Sequence, residues 1–138
     1  LDSIQVKDAM SAKVETLLST ATVGEAFNRM MDGGHTGYPI VDPAGKLAGI
    51  VTRRDLSKHL HAGRGKDPLA SVVSGLTITA FPHEMLFRAR DRLYQQDIGR
   101  LVVVDPGDRT KVIGILTRSD LLRAEAKSDV AHDEDFSP

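Results

Sequence analysis

Two short segments of this chain set a hydroxyl and a carboxylate three residues apart. Thr52 and Asp55 stand in Gly49-Ile50-Val51-Thr52-Arg53-Arg54-Asp55-Leu56. Thr117 and Asp120 stand in Gly114-Ile115-Leu116-Thr117-Arg118-Ser119-Asp120-Leu121. In both, an apolar run ends at the threonine and a helical pattern opens directly after it. The threonine and the aspartate then fall at a strand-to-helix junction, where backbone N–H groups lack partners. A hydroxyl, free amides and a carboxylate within one turn suit a phosphorylated ribose. The carboxylate accepts from two adjacent sugar hydroxyls, and the threonine with the helix N-terminus receives phosphate oxygens. Arg53, Arg54 and Arg118 add charge for phosphate nearby. The plainer account is a threonine N-cap followed by an aspartate that favours the helix dipole. Recurrence of both residues, with Gly-Ile before and Leu after, favours a site.

The recurrence extends over most of the chain. Tyr38-Pro39-Ile40-Val41-Asp42-Pro43 returns 63 residues later as Leu101-Val102-Val103-Val104-Asp105-Pro106. The Gly-Ile segments lie 65 apart, so the second copy has a two-residue turn insertion. One compact unit is used twice. Each copy begins with a short helical turn, at Val6–Met10 and at Leu69–Val73. Short extended segments follow near Lys13–Leu17 and Leu76–Ala80. An amphipathic helix comes next. In the first copy Thr22 is its N-cap, with Glu25 completing a capping box. Val23, Ala26, Phe27, Met30 and Met31 form the apolar face, and Gly33-Gly34 ends it. Leu86, Ala89, Leu93 and Tyr94 mark the face in the second copy. The runs Tyr38–Val41 and Leu101–Val104 read as strands buried on both faces. Asp-Pro turns lead to return strands at Leu47–Val51 and Val112–Leu116. Final helices open near Arg53 and Arg118.

This pattern predicts an α/β (α+β) fold of two repeats, each a small three-stranded sheet with flanking helices. The repeats would pack sheet on sheet as a pseudo-two-fold pair with a crevice on the axis. The first repeat covers 1–60, a glycine-rich flexible linker 61–68, and the second repeat 69–126. The acidic stretch 127–138 is poor in apolar residues and is expected to be disordered. The chain opens on Leu1, which fits a segment of a longer protein.

Composition narrows the classes of function. At 138 residues and 41% hydrophobic content, the chain suits one shared core. A formal net charge of −1 supplies no basic stripe for DNA or RNA. Without cysteine, thiol catalysis and thiolate metal sites are excluded. The five histidines show no zinc-ligand spacing, and no nucleophile elbow or Walker loop is present. Gly63-Arg64-Gly65-Lys66 lacks the phosphate-loop spacing. These features point away from an enzyme, from a resident metal and from a catalytic cofactor.

The paired motifs resemble the CBS domain, and the pair resembles a Bateman module, over roughly Val6 to Ala124. The resemblance implies two clefts for adenosine-containing ligands: AMP, ADP, ATP or S-adenosylmethionine. It places one cleft on Val14, Glu15, Thr16, His35, Thr36, Gly37, Tyr38 and Pro39 together with Thr117, Arg118 and Asp120. The second would use Thr77, Thr79, Ile98, Arg100 and Leu101 with Thr52, Arg53 and Asp55. The first is expected to be the better site, because it offers an imidazole and a phenol. Arg100 is a candidate plug of the second. A narrower likeness links Gly34–Asp42 and Val112–Ala124 to the cytosolic tail of prokaryotic ClC-type chloride channels and transporters. It implies a regulatory role on the cytosolic face of a membrane, an attached transport domain and a homodimer. The alternative is a CBS-pair dimerisation scaffold, stand-alone or otherwise attached, with empty or S-adenosylmethionine-binding clefts.

Overall fold

The computed structural model describes residues 3–33, 37–73, 78–95 and 99–136. Each copy forms its own three-stranded sheet. In the first, β1 (Leu17–Leu18) runs parallel to β2 (Gly37–Val41), which pairs antiparallel with β3 (Leu47–Thr52). Parallel neighbours need a crossover connection, and α2 (Val23–Gly33) supplies it. Antiparallel neighbours need only a turn. Asp42 Oδ1 accepts the N–H groups of Ala44 (2.9 Å) and Lys46 (2.8 Å), and Gly45 takes φ 82°. Glycine tolerates that left-handed angle at no steric cost. Helix α3 (Arg53–His61) follows β3 without a break.

Helix α2 begins where its capping chemistry predicts, with Thr22 Oγ1 accepting the Glu25 N–H at 3.1 Å. Its next free amides are taken from far along the chain. Val23 N–H donates to the Asp67 carbonyl and Gly24 N–H to the Gly65 carbonyl, each at 2.9 Å. Leu69 N–H donates to the Ala21 carbonyl at 2.8 Å. The expected flexible connector at 61–68 is thus tied to the first repeat by backbone hydrogen bonds. Val23, Ala26 and Met30 of α2 are buried with Leu17, Tyr38, Ile40, Val51, Leu56 and Leu69. Met31 is 56% exposed, so the apolar face is narrower than the hydropathy pattern suggested.

The second sheet repeats this order. β4 (Thr79–Ala80) is parallel to β5 (Arg100–Asp105), which is antiparallel to β6 (Asp108–Thr117). α4 (Leu86–Gln95) is the crossover and α5 (Arg118–Phe136) follows β6. Leu86, Ala89, Leu93, Leu101, Val103, Leu116 and Leu121 form its core. Each fully buried leucine is worth about 1.5–3 kcal/mol over an exposed one. Tyr94 lies outside that core at 52% exposure. Helix α5 runs through the acidic stretch that composition left without regular structure. No glycine or proline interrupts 118–136, and alanines favour the helix.

The compact units do not follow the sequence repeats. One unit is Glu15–Thr77, and the other is Leu1–Val14 with Ile78–Pro138. The N-terminal segment explains this. Helix α1 (Val6–Ala9) sits among second-repeat elements: Val6 N–H donates to the Glu84 carbonyl (2.9 Å) and Leu86 N–H to the Ile4 carbonyl (2.8 Å). Ser11 and Ile115 exchange two backbone hydrogen bonds, both 2.9 Å. A leading segment grouped by sequence with the first repeat is therefore built into the unit of the second.

Candidate functional site

Both threonine–aspartate motifs cap the helices they open. Thr52 Oγ1 accepts the Asp55 N–H at 3.2 Å, and Asp55 Oδ2 accepts the Thr52 N–H at 3.1 Å and its hydroxyl at 2.9 Å. Thr117 and Asp120 repeat the geometry, with Thr117 N–H to Asp120 Oδ2 at 2.8 Å and Asp120 N–H to Thr117 Oγ1 at 3.2 Å. The capping account and the binding account are thus compatible. A carboxylate has about four lone-pair positions, and the cap uses only part of them.

The two carboxylates differ in setting. Asp120 is 4% exposed, and its Oδ1 is paired with the Arg123 guanidinium one helical turn on. Asp55 is half-buried, and Thr52 is exposed. Arg53, Arg54 and Arg118 are exposed, with the Arg118 guanidinium 5.6 Å from the Tyr94 ring centroid.

Strand register arranges the remaining expected residues. Gly37 pairs with Thr52, and Arg100 pairs with Thr117. The residues entering each central strand therefore flank the threonine of their own repeat. Gly37, Tyr38 and Pro39 are buried, as is Leu101, while Arg100 is half-buried. Val14 and Thr16 are half-buried ahead of or at the edge strand, and Glu15 is exposed; Thr79 opens β4. Thr117, Arg118 and Asp120 belong to one compact unit, and Tyr38 and Pro39 to the other. His35, Thr36, Thr77 and Ile98 lie outside the described residues.

Tyr38 packs its ring in the first-repeat core. Burial raises the pKa of its hydroxyl above the ordinary 10.0; the Glu15 carboxylate adds to the rise, and the Arg29 guanidinium opposes it. A phenol with a raised folded-state pKa contributes stability that is fully present below the unfolded value. That stability is lost as pH rises through the folded value. Tyr38→Phe is expected to flatten the fall in thermal midpoint above about pH 10. Melting curves across the alkaline range check this, and an unchanged slope would exonerate the phenol.

A pocket of about 390 Å³ opens in the first repeat between β1 and α2. Thr16, Leu17 and Leu18 line one side, and Ala21, Glu25, Ala26 and Arg29 the other. Of these, the sequence marks only Thr16 as a site residue; Glu25 and Ala26 stand there as a helix cap and a core position. The missed signal lies in the repeat itself: Arg29 recurs as Arg92 and Ala26 as Ala89, both at the 63-residue offset. An apolar floor with a few polar groups at the rim is the usual make-up of a small-molecule site. Among the described residues, no group of three or more His, Cys, Asp or Glu side chains converges to hold a metal ion.

Twin βαββα units, each with a threonine–aspartate cap after its last strand, define a tandem-repeat domain. The CBS domain family model matches residues 6–62 and 72–127, and the chain belongs to that family. The chain is 32% identical over 118 residues to the CBS domain-containing protein YhcV of Bacillus subtilis, covering 84% of this chain and 81% of that one. It is 33% identical over 123 residues to a homoserine O-acetyltransferase of Methanococcoides burtonii. That match covers 89% of this chain but spans only 24% of the relative's length. Many solved structures share the fold, and three serve for comparison. A putative acetoin utilization protein (AcuB) from Vibrio cholerae matches with TM-score 0.81 and 30% identity, over 98% of both chains. CBSX2 in complex with AMP gives 0.80 and 25%, over 92% of this chain and 99% of that one. The CBS domain pair of MJ0100, in complex with 5′-methylthioadenosine and S-adenosyl-L-methionine, gives 0.78 and 28%, over 91% and 98%.

Proposed function

We propose that this CBS pair is a regulatory module that binds an adenosine-containing ligand and passes the binding energy to an attached or associated domain. The observation that carries this reading is the doubled threonine–aspartate junction. The carboxylate recognises the ribose hydroxyls, and the exposed helix-opening arginines attract phosphate. Similar CBS pairs hold AMP, methylthioadenosine and S-adenosylmethionine, which supports an adenosine ligand without choosing among them. Coupling of this kind is typically about 1–3 kcal/mol, enough to bias an active site or a gate. We infer binding without turnover, because the relative named as an enzyme is matched over only a quarter of its length. A sensor of nucleotides works where nucleotides are, so its place is the cytoplasm. Attachment to a chloride-transport domain rests on the sequence likeness alone, and the stand-alone reading has the YhcV match on its side. No helix among the described residues is long and apolar enough to cross a membrane.

A thermal-shift series with AMP, ADP, ATP and S-adenosylmethionine tests the reading. Ligand at 100 times its Kd is expected to stabilise the chain by about 2.7 kcal/mol. No shift with any of the four would favour the second reading, a dimerisation scaffold. That reading also has support of its own. Met31 and Tyr94, 63 residues apart at matching helix positions, are each more than half exposed, and Leu122 is 62% exposed. Exposed apolar side chains at matched positions suit self-association into a homodimer. Sensor and dimer are compatible, and sedimentation of the ligand-free chain decides the second point.

A further inference from the structure

Each threonine–aspartate lip stands on a segment from elsewhere in the chain. Leu116 directly precedes Thr117 and Leu121 directly follows Asp120, and both leucines are fully buried. Val6 of α1, also fully buried, lies in the same core cluster, with Ile4, Ala9 and Met10 packed against it. The first repeat is built alike. Val51 precedes Thr52, Leu56 follows Asp55, and both share a cluster with Leu69, which stands 63 positions after Val6. The backbone repeats the match. Val6 N–H donates to the Glu84 carbonyl as Leu69 N–H does to the Ala21 carbonyl, and Lys7 N–H to the Pro82 carbonyl as Ala70 N–H does to the Ser19 carbonyl. Strand β6 adds a second hold. Ile115 turns its N–H and carbonyl to Ser11, away from β5. Alternate residues of an antiparallel strand face the same edge, so the Thr117 N–H leaves β6 on that edge too, where it donates to Asp120 Oδ2. The bridge to Ser11 and the cap that shapes the lip thus lie two residues apart on one strand edge.

We propose that Val6 and Ser11 are positioning residues for the ligand lip: the segment Ile4–Ser11 holds Thr117 and Asp120 in binding geometry through Leu116, Leu121 and Ile115, so its docking and nucleotide binding are coupled. The inference rests on the reading of the threonine–aspartate junction as the ribose site. Its physical ground is packing. Undocking the segment empties the space beside Leu116 and Leu121, and close-packed cores answer such a loss by shifting the groups around it. It also strips Ile115 of both backbone partners at Ser11, freeing the β6 edge next to Thr117. A lip loosened in this way must be reordered on binding, which costs affinity. Linkage makes the effect mutual: a ligand that favours the ordered lip favours the docked segment by the same factor.

Amide hydrogen exchange tests this, with AMP as the ligand. At 100 times its Kd, AMP is expected to slow exchange at Ser11, Ile115 and Thr117 of the unaltered chain by about 100-fold. Slowing at Thr117 with unchanged rates at Ser11 and Ile115 would overturn the coupling. In the ligand-free chain, Val6→Ala is expected to speed exchange at all three amides at least tenfold relative to Val103 in the same core. Thr52, capped in the same way in the other repeat, should keep its rate. Faster exchange at Ser11 and Ile115 alone would mean that the lip does not depend on the segment. Val6→Asp sets a carboxylate in the apolar cluster and expels the segment. It is expected to weaken AMP binding at least tenfold by calorimetry, and parent affinity with a freely exchanging Ser11 amide would refute the proposal. Should Val6→Asp fail to fold, the two exchange measurements decide. AMP that binds neither parent nor variant would sink the adenosine reading, and the ligand-free exchange rates would still uphold or refute the support of the lip.

Discussion

Gly114→Val is expected to destabilise the chain by about 2 kcal/mol or more. A β-carbon at Gly114 would lie 2.5 Å from Met10 Sδ and 3.1 Å from the Ser11 carbonyl oxygen. The sulfur sits on a flexible side chain and can shift. The carbonyl cannot, because Ser11 and Ile115 are held by their two backbone hydrogen bonds. Valine must therefore push the N-terminal segment off β6. Each backbone bond lost costs about 0.5–1.5 kcal/mol beyond the steric strain. Urea denaturation measures the change, with Gly99→Ala as control, since nothing lies within 4 Å of a β-carbon there. Met10→Ala in a Gly114→Ala background should restore part of the loss. A Gly114→Val protein as stable as the parent would show that the segment from α1 to Ser11 is not bound to β6 in solution.

Asp120→Ala is expected to weaken nucleotide binding by roughly tenfold or more, because charge-assisted hydrogen bonds contribute about 1.5–3 kcal/mol. It also carries a structural cost. The side chain is buried, accepts the Thr117 N–H and pairs with Arg123. Loss of the cap should remove about 1 kcal/mol of stability. Asp120→Asn separates the two effects: it keeps an oxygen acceptor for the cap and removes the charge. Calorimetry on both variants, with melting curves alongside, reads affinity and stability independently. Unchanged affinity would remove Asp120 from the site. Asp55→Ala is expected to cost less affinity, and a larger loss there would reverse the ranking of the two motifs.

Local chemistry was legible because its causes lie within a few residues. Thr22 with Glu25, Thr52 with Asp55 and Thr117 with Asp120 announce three helix starts, and all three hydrogen bonds form. Asp42 and Gly45 announce a turn that closes through Asp42 Oδ1. The narrower errors had equally local reasons. Met31 and Tyr94 flank the buried stripe of their helices, where hydropathy cannot tell an edge position from the core. At the candidate site, the threonine–aspartate lip could be read in advance, but the β1–α2 pocket could not. Its walls are two leucines, two alanines, a threonine, a glutamate and an arginine, and their meaning depends on what a second segment leaves empty.

The amino-acid order alone determined that one βαββα unit occurs twice, with its turns, caps and buried strands, since periodicity and capping act over one or two helical turns. Tertiary structure decided the rest. It joined Ser11 to Ile115, laid the carbonyls of Gly65 and Asp67 over the start of α2, and closed Arg92 onto Glu84 while leaving Arg29 beside an open pocket. Those outcomes turn on which groups meet after the chain has folded back on itself, over separations as long as a hundred residues. No periodic pattern spans that distance; only the competition of buried carbonyls, amides and charges for partners settles it.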